Sequence, residues 1–280
     1  MMRPKHIKIR PLSGSLGAEV TGVDVISASD DAWEEIQQAF LERMVLFFPD
    51  QKLDPKSFKN VGSRFGELSY YPFVEGLLEE PYVIPLIKEP TETKIFGEGW
   101  HSDTTYTEQP PKATALYSIE VPDVGGDTMF SNMYQAYETL SPAMRELLEP
   151  LRAVNAASAR KGGGRAEGNA YKSVKLINRD QKMEGIHPVA RTHPDTGRKA
   201  LYINSLHTTH FVGWTQAESK PLLDYLCRHK ARPEFTCRYK WRQDTFAIWD
   251  NRAVQHSALN DYHGKRREMW RLSISGEVPV

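Results

Sequence analysis

Residues 245–256 read TFAIWDNRAVQH, an apolar run that passes into polar residues and ends at His256. Short runs rich in β-branched and aromatic residues, separated by glycine and proline, predict β-strands. Residues 245–249 fit this pattern. It recurs along the chain in residues 6–12, 18–25, 45–48, 112–120, 186–192, 200–204, 235–241 and 267–275. The chain is therefore predicted to be mainly β.

Helix signals are fewer and lie between the strands. Residues 31–43 place three large apolar side chains on one helical stripe. Cap residues ahead of apolar runs predict further helices that begin near residues 54, 141 and 215, and Pro221 predicts that the last one begins a few residues after its cap. Many strands with a few flanking helices favour a single β-sandwich or jelly roll over a Rossmann-type sheet.

Charge and targeting signals limit the partners and the compartment. The chain has 36 basic and 36 acidic residues, so its formal net charge is zero. This balance predicts neither a nucleic-acid partner nor a membrane surface. Cys227 and Cys237 fit free thiols in a reducing compartment. No signal peptide and no run of about 18 apolar residues is found, which predicts a cytoplasmic protein.

A His-x-Asp pair and a distant histidine form a candidate metal site. In extended backbone, His101 and Asp103 point to the same side, because side chains alternate along a strand. His256 follows an apolar strand and is the best candidate for a third ligand. Two histidines and one carboxylate leave metal positions open, as in non-haem Fe(II) oxygenases, whereas structural zinc sites close all four positions.

The sequence contains a second His-x-Asp pair, His193-Pro194-Asp195. Pro194 and Gly197 frame this copy as a turn between two strands, and no downstream histidine lies in a matching context. We interpret the second pair as structural. Its presence shows that such a pair is a weak signal by itself.

Two arginines and a threonine add possible anion-binding groups. Arg267 and Arg271 share one face of the predicted strand 267–275, since residues four apart in a strand point the same way. Beside a metal they can clamp carboxylates; the alternative is an edge strand with solvated charges. Thr128 follows the turn at residues 125–127. Its hydroxyl can help to hold a carboxylate, or the residue is an ordinary strand position after a turn.

Taken in order, these motifs resemble the TauD/TfdA family of Fe(II)/2-oxoglutarate dioxygenases. The resemblance covers the chain from Leu16 to its end and is carried by four features: WHSD at residues 100–103, GGDT at 125–128, WDNRAVQH at 249–256, and Arg267 with Arg271. Their order and spacing are far more specific than any one of them.

The resemblance implies a fold, two cofactors and a set of roles. The fold would be a double-stranded β-helix, which is a jelly roll, and Fe(II) would be bound by His101, Asp103 and His256. Thr128 and Arg267 would bind the co-substrate 2-oxoglutarate. With O2 as oxidant, the enzyme would hydroxylate a small anionic organic substrate that pairs with Arg271.

The same resemblance narrows the substrate. Taurine enzymes have a sulfonate-contacting histidine where this chain has Tyr71, and an amine-contacting asparagine where it has Gly97, which disfavours taurine. A more aromatic pocket is predicted instead, with Tyr70, Tyr71, Phe73 and Tyr106 as its walls and with core or rim packing as their alternative role. Three stretches resemble aryloxyalkanoate dioxygenases: residues 125–128, 216–223 and 235–238. We therefore predict cleavage of an aryloxyalkanoate-like carboxylate at its ether bond, with an alkyl sulfate or sulfonate as the alternative.

Two other classes of protein stay open. A zinc hydrolase could use the same three ligands, but Arg267 and Thr128 would then lack a purpose. A non-catalytic jelly-roll binding module would need no metal ligands at all. We also predict one domain over residues 1–280, a homo-oligomer (dimer or tetramer), and a glycine-rich active-site lid near residues 158–175, for which a disordered connection is the alternative.

Overall fold

The fold is given by a computed structural model that describes residues 4–157, 173, 175–178 and 181–280. These residues form sixteen strands. In chain order the strands are β1 (Lys8–Pro11), β2 (Ala18–Thr21), β3 (Val45–Phe48), β4 (Leu68–Ser69), β5 (Ile84–Lys88), β6 (Ala113–Glu120), β7 (Thr128–Asn132), β8 (Arg152–Ala156), β9 (Glu184–Pro188), β10 (Ala190–Thr192), β11 (Lys199–Leu201), β12 (Thr208–Phe211), β13 (Thr236–Tyr239), β14 (Phe246–Asp250), β15 (Val254–Ala258) and β16 (Arg267–Ile274).

Five α-helices lie between the strands, and a short 3-10 helix (Pro233–Phe235) precedes β13. Side-chain caps define where the helices begin, as the sequence predicted: Asp54, for example, caps the second helix and accepts the backbone N–H of Ser57. The helices are α1 (Asp30–Arg43), α2 (Pro55–Ser63), α3 (Met133–Glu138), α4 (Pro142–Leu148) and α5 (Gln216–Lys230).

The largest sheet has eight strands in the order β1-β2-β3-β14-β6-β16-β4, with β5 also paired to β16. A second sheet has the order β13-β7-β15. The smaller sheets are β12-β8-β9 and β10-β11. Because β16 pairs with both β5 and β6, its side chains meet residues that are far away in sequence.

Both faces of the eight-stranded sheet are buried. On β3, Val45 and Phe47 face one apolar core, where the Phe47 ring lies 5.5 Å from that of Phe130 on β7. The alternate residues Leu46 and Phe48 face a second core, which contains the apolar stripe of α1. One face of the sheet thus packs on the second sheet and the other on helices. This is the predicted jelly roll with flanking helices.

Most predicted strands are confirmed, but one predicted strand is divided in two and one helix begins earlier than predicted. Residues 186–192 form two strands rather than one, since the chain leaves β9 at Pro188 and pairs with a new partner from Ala190 onward. The expected late start of the helix near Pro221 is wrong, because α5 begins directly after its cap. Pro221 has no backbone N–H, so the helix lacks one hydrogen bond there. The capping box between Thr215 and Glu218 stabilises the first turn and offsets this loss.

The described residues bear only in part on the predicted lid and on the absence of membrane-spanning helices. The predicted lid at residues 158–175 lies outside the described residues, apart from 173 and 175. Within the described ranges, the helices are too short or too polar to span a lipid bilayer.

Candidate metal centre

A backbone pair holds His101 and His256 side by side. The N–H group of each histidine donates to the carbonyl oxygen of the other, at 3.0 and 2.9 Å. This isolated antiparallel bridge brings the centroids of the two imidazole rings to 4.3 Å. The fold therefore fixes the relative position of two donors that are distant in sequence.

Asp103 completes a group of three donors. One ligand atom from each of His101, Asp103 and His256 lies within 4.8 Å of the other two, and all three residues are buried. His101 Nδ1 lies 2.8 Å from the carbonyl oxygen of Gly99, so Nε2 is left to face the Asp103 carboxylate at 3.7 Å. The structure thus brings together the three residues that the sequence selected.

The protonation states of these groups suit a cation. Burial lowers the pKa of His256 to about 3 and also lowers the pKa of His101, so both rings are neutral at pH 7. Burial alone would raise the pKa of Asp103, but the nearby positive charge of Arg271 helps to hold it below its usual value. Metal ligands must be neutral imidazoles and ionised carboxylates. Two such imidazoles and one carboxylate fit Fe(II) with open positions.

Hydrogen bonds orient the Asp103 carboxylate. The hydroxyl of Thr114, a fully buried residue on β6, donates to Asp103 Oδ2 at 2.7 Å. The side-chain amide of Asn251 donates to that hydroxyl at 2.9 Å, and its oxygen accepts the backbone N–H of Asp103 at 3.3 Å. Trp249 Nε1 donates to the same amide oxygen at 3.0 Å. The carboxylate is therefore held by groups from β6 and from the turn before β15.

The second His-x-Asp pair binds that same turn. His193 Nε2 lies 2.9 Å from Asp250 Oδ2, and the Arg252 guanidinium donates to both oxygens of Asp250 at 2.9 and 2.8 Å. Arg252 also lies 2.9 Å from Asp195. The interpretation of this pair as a turn is confirmed. In addition, it anchors the segment that leads into His256.

A pocket opens in front of the three donors. Eight of the residues that the sequence assigned to the site line it: His101, Asp103, His256, Thr128, Arg267, Arg271, Tyr71 and Tyr106. The other two predicted walls do not, because Tyr70 is exposed and Phe73 is buried in the core. Tyr71 and Tyr106 are also buried against Phe73, so they pack in the core as well as line the pocket.

One side of the pocket carries Thr128 and Arg267. Trp241 Nε1 donates to Thr128 Oγ1 at 2.9 Å, and the Arg267 guanidinium carbon lies 5.8 Å from the centroid of the Trp241 ring. Arg267 is partly buried, its Nε has no hydrogen-bond partner among the described residues, and desolvation lowers its pKa. These groups can hold a carboxylate from a ligand.

Another side of the pocket carries Arg271, which is 4% exposed. One of its Nη atoms lies 3.0 Å from Asp103 Oδ1, and its guanidinium carbon lies 4.5 Å from the centroid of the Tyr71 ring. Arg271 therefore lies between the three donors and an aromatic wall formed by Tyr71, Phe96 and Tyr106. Phe73 packs against the two tyrosines of this wall.

Sequence analysis missed several residues of the pocket and its support. Lys88 and His207 line the pocket, and Thr114 and Trp241 orient groups within it. For Lys88, the alternation of Ile, Leu and Lys over residues 84–88 was an available signal, which the proline in that run obscured. For His207, a single histidine in a loop gives no pattern to detect.

Two buried imidazoles and a buried carboxylate at a jelly-roll pocket define a mononuclear non-haem iron oxygenase. The chain belongs to the family described as "Taurine catabolism dioxygenase TauD, TfdA family", whose model matches residues 8–273. It is thus an Fe(II)-dependent dioxygenase that uses 2-oxoglutarate (alpha-ketoglutarate), O2 and an organic substrate. The predicted resemblance, class and cofactors are confirmed, and the hydrolase and binding-module alternatives are wrong.

Several named relatives align with this chain over nearly its whole length. It is 34% identical over 295 residues to an alpha-ketoglutarate-dependent sulfate ester dioxygenase of Pseudomonas putida (98% of this chain, 91% of the relative). It is 32% identical over 278 residues to an alkylsulfatase of Acinetobacter baylyi (98% and 86%). It is 28% identical over 288 residues to an (S)-phenoxypropionate/alpha-ketoglutarate-dioxygenase of Sphingobium herbicidovorans (96% and 95%).

A solved structure gives the same result for the fold. The crystal structure of a taurine dioxygenase from Burkholderia xenovorans matches with a TM-score of 0.82 at 32% identity, covering 99% of this chain and 93% of the other. These names differ in substrate. Three of them, those of Pseudomonas putida, Sphingobium herbicidovorans and Burkholderia xenovorans, are named as dioxygenases, but together the names leave the primary substrate of this chain open.

Proposed function

We propose that His101, Asp103 and His256 bind Fe(II), and that the enzyme hydroxylates a small organic anion at a carbon next to oxygen or sulfur, after which the substrate fragments. The bound iron supplies the activation of O2. Thr128 and Arg267 bind the distal carboxylate of 2-oxoglutarate. Arg271 binds the anionic group of the substrate, while Tyr71 and Tyr106 form the wall beside it.

The observation that carries the proposal is the charge of the pocket. Lys88 and Arg271 are each 4% exposed, and Arg267 is partly buried. Among the described lining residues, Asp103 is the only carboxylate that opposes them. The charges of Fe(II) and of 2-oxoglutarate cancel, so the remaining positive charge favours a further anion.

An aryloxyalkanoate-like carboxylate is the first candidate. Its aromatic ring would pack on the wall of Tyr71, Phe96 and Tyr106, because aromatic pairs gain from edge-to-face contacts. The phenoxypropionate relative supports this candidate. Hydroxylation of the carbon that carries the ether oxygen would yield a hemiacetal-type product, which breaks down to a phenol and a 2-oxo acid.

An alkyl sulfate or sulfonate is the second candidate. Two relatives, each more than 30% identical, are named for sulfate esters. A planar guanidinium such as that of Arg271 pairs with a sulfate oxygen pair as well as with a carboxylate. The pocket charge therefore fits both candidates.

A succinate-release screen with Fe(II) and ascorbate, across aryloxyalkanoates, alkyl sulfates and sulfonates, tests the function. Turnover of aryloxyalkanoates alone would support the first candidate, and turnover of sulfur compounds alone the second. In the folded protein, an absence of coupled succinate release with every compound would contradict the proposed substrate class.

The role of Arg271 has its own test. We expect Arg271→Met to raise the KM of the active substrate about 10- to 100-fold, the range for a charge-assisted hydrogen bond. The Kd of 2-oxoglutarate should change far less. Lys94→Met is the matched control, because Lys94 lines the same pocket but is exposed, and exposed charges contribute little. An equal loss for both ligands would contradict the assignment of the two arginines.

We further propose that residues 1–280 form one domain and that the protein works as a cytoplasmic homodimer or homotetramer without nucleic-acid or membrane partners. Its balanced charge supports the last point. Light scattering coupled to gel filtration measures the oligomeric state, and a monomer at micromolar concentration would contradict the proposed assembly.

A further inference from the structure

A lysine faces the arginine that we assign to the co-substrate. Lys88 is the last residue of β5, and it lies directly opposite Arg267 in the antiparallel pair of β5 with β16. Side chains at opposite positions leave a sheet on the same face, with Cβ atoms about 5 Å apart. Lys88 and Arg267 therefore project side by side, and both line the pocket in front of the metal donors.

Neither cation has a carboxylate partner among the described residues. Lys88 is 4% exposed, and its Nζ contacts the carbonyl oxygen of Lys265 at 3.2 Å and the ring of Tyr262 at 4.7 Å from the centroid. Neither Lys88 nor Arg267 takes part in an ion pair among the described residues, although neighbouring basic side chains do. Arg267 Nε likewise lacks a hydrogen-bond partner within the described ranges.

The described carboxylates near the two cations bind other groups. The buried Glu92 accepts the backbone N–H of Glu89 at 2.7 Å and that of Ser173 at 3.2 Å. Glu89 lies 3.1 Å from Arg266, and Asp127 lies 2.5 Å from Arg238. Like charges directly opposite each other in a sheet are destabilising, and a desolvated charge is costly without a partner. Within the described ranges no carboxylate neutralises the two facing cations, so a bound anion would stabilise them.

We propose that Lys88 and Arg267 together bind the distal carboxylate of 2-oxoglutarate, which makes Lys88 a co-substrate-binding residue. This inference rests on the assignment of Arg267 to that carboxylate under the proposed function. The ammonium adds a point charge, whereas the guanidinium adds a planar pair of donors. A 2-oxo acid without a distal carboxylate leaves both cations without an anion, so the pair selects for a dicarboxylate.

Anaerobic binding of two 2-oxo acids to the Fe(II)-loaded enzyme tests the inference. 2-Oxovalerate has the carbon chain of 2-oxoglutarate but ends in a methyl group, so comparing the two isolates the distal carboxylate. For Lys88→Met, we expect the Kd of 2-oxoglutarate to rise about 10- to 100-fold, as for loss of a charge-assisted hydrogen bond. The Kd of 2-oxovalerate should stay nearly the same.

Two variants serve as controls. Lys88→Arg keeps the positive charge and should recover most of the affinity for 2-oxoglutarate. Lys94→Met removes an exposed cation of the same pocket and should leave the Kd of both acids unchanged. Binding to the Fe(II) enzyme is followed by the weak visible charge-transfer band that a chelated 2-oxo acid gives with Fe(II). Calorimetry with Mn(II) in place of Fe(II) gives a second readout, which depends neither on that band nor on turnover.

The outcomes separate the possible failures. A folded Lys88→Met protein with an unchanged Kd for 2-oxoglutarate, or with an equal rise for both acids, would overturn the role of Lys88. If Arg267→Met removes the preference for the dicarboxylate and Lys88→Met does not, Lys88 alone is wrongly assigned. If Arg267→Met also keeps the preference, the co-substrate assignment in the proposed function fails as well.

Discussion

Replacing Thr114 with valine should weaken metal binding without changing the shape of the core. Thr114 is fully buried, and its hydroxyl both donates to Asp103 Oδ2 at 2.7 Å and accepts from Asn251 at 2.9 Å. Valine has nearly the same volume but no hydroxyl. In Thr114→Val, Asp103 Oδ2 loses the bond that orients the carboxylate, and only the other oxygen, Oδ1, keeps its contact with Arg271 at 3.0 Å.

The size of the effect follows from the lost bond. A hydrogen bond to a charged group contributes about 1.5–3 kcal/mol, and about 1.4 kcal/mol corresponds to a factor of ten in an equilibrium constant. Loss of groups that orient metal ligands typically lowers metal affinity by about 10- to 100-fold. The two ranges agree, so we expect the Kd for Fe(II) or Mn(II) to rise by that factor.

This Kd is measured by titrating the metal-free protein with Mn(II) and monitoring the free ion by electron paramagnetic resonance. Thr114→Ser keeps the hydroxyl and should bind the metal nearly as well as the parent protein. If Thr114→Val folds normally and binds Mn(II) with unchanged affinity, the hydrogen bond does not orient the ligand and this reasoning is wrong.

Three further predictions concern histidines. His256→Ala should abolish both metal binding and Fe(II)-dependent succinate release, and normal turnover would exclude His256 as a ligand. His193→Ala removes a buried partner of Asp250 and should lower the free energy of unfolding by about 1–3 kcal/mol in urea, whereas the exposed His263→Ala should have little effect; equal values would contradict the anchoring role. Burial lowers the pKa of His187 from 6.5 to about 4, so the unfolded state binds more protons between these values. The stability linked to the neutral His187, on the order of 3 kcal/mol, is present above pH 6.5 and is lost as the pH falls towards 4. Replacing His187 with glutamine should flatten the decline in unfolding free energy over this range, and an unchanged pH profile would refute the assignment.

The sequence predicted the group of three candidate metal ligands because each part carries a local signal. His101 and Asp103 are two residues apart, and His256 follows a continuous apolar strand. The same holds for Arg267 and Arg271, which alternation places on one face of β16. The backbone pairing between His101 and His256 has no such signal, because it depends on how distant segments meet in the folded chain.

Residues whose role comes from strand register could not be found in this way. β5 contains Pro85, which argues against a strand in the sequence. Among the described strands β5 pairs only with β16, so it is an edge strand, where a proline can be accommodated. Without β5, nothing in the sequence places Lys88 opposite Arg267. Similarly, the turn at His193 was predicted, but its contact with Asp250 depends on the packing of the two segments.

Because the backbone N–H groups of His101 and His256 bond to each other's carbonyl oxygens, hydrogen exchange at these two N–H groups should depend on whether a metal ion is bound. An ion that holds both imidazoles also restrains the two amide groups, which must separate from their partners before deuterium can replace their protons. Deuterium uptake at these amides should slow when any divalent ion binds, including ions that support no turnover. Mass spectrometry of the two peptides could therefore report loading inside crude mixtures, where oxidation of the iron makes catalytic assays uninformative.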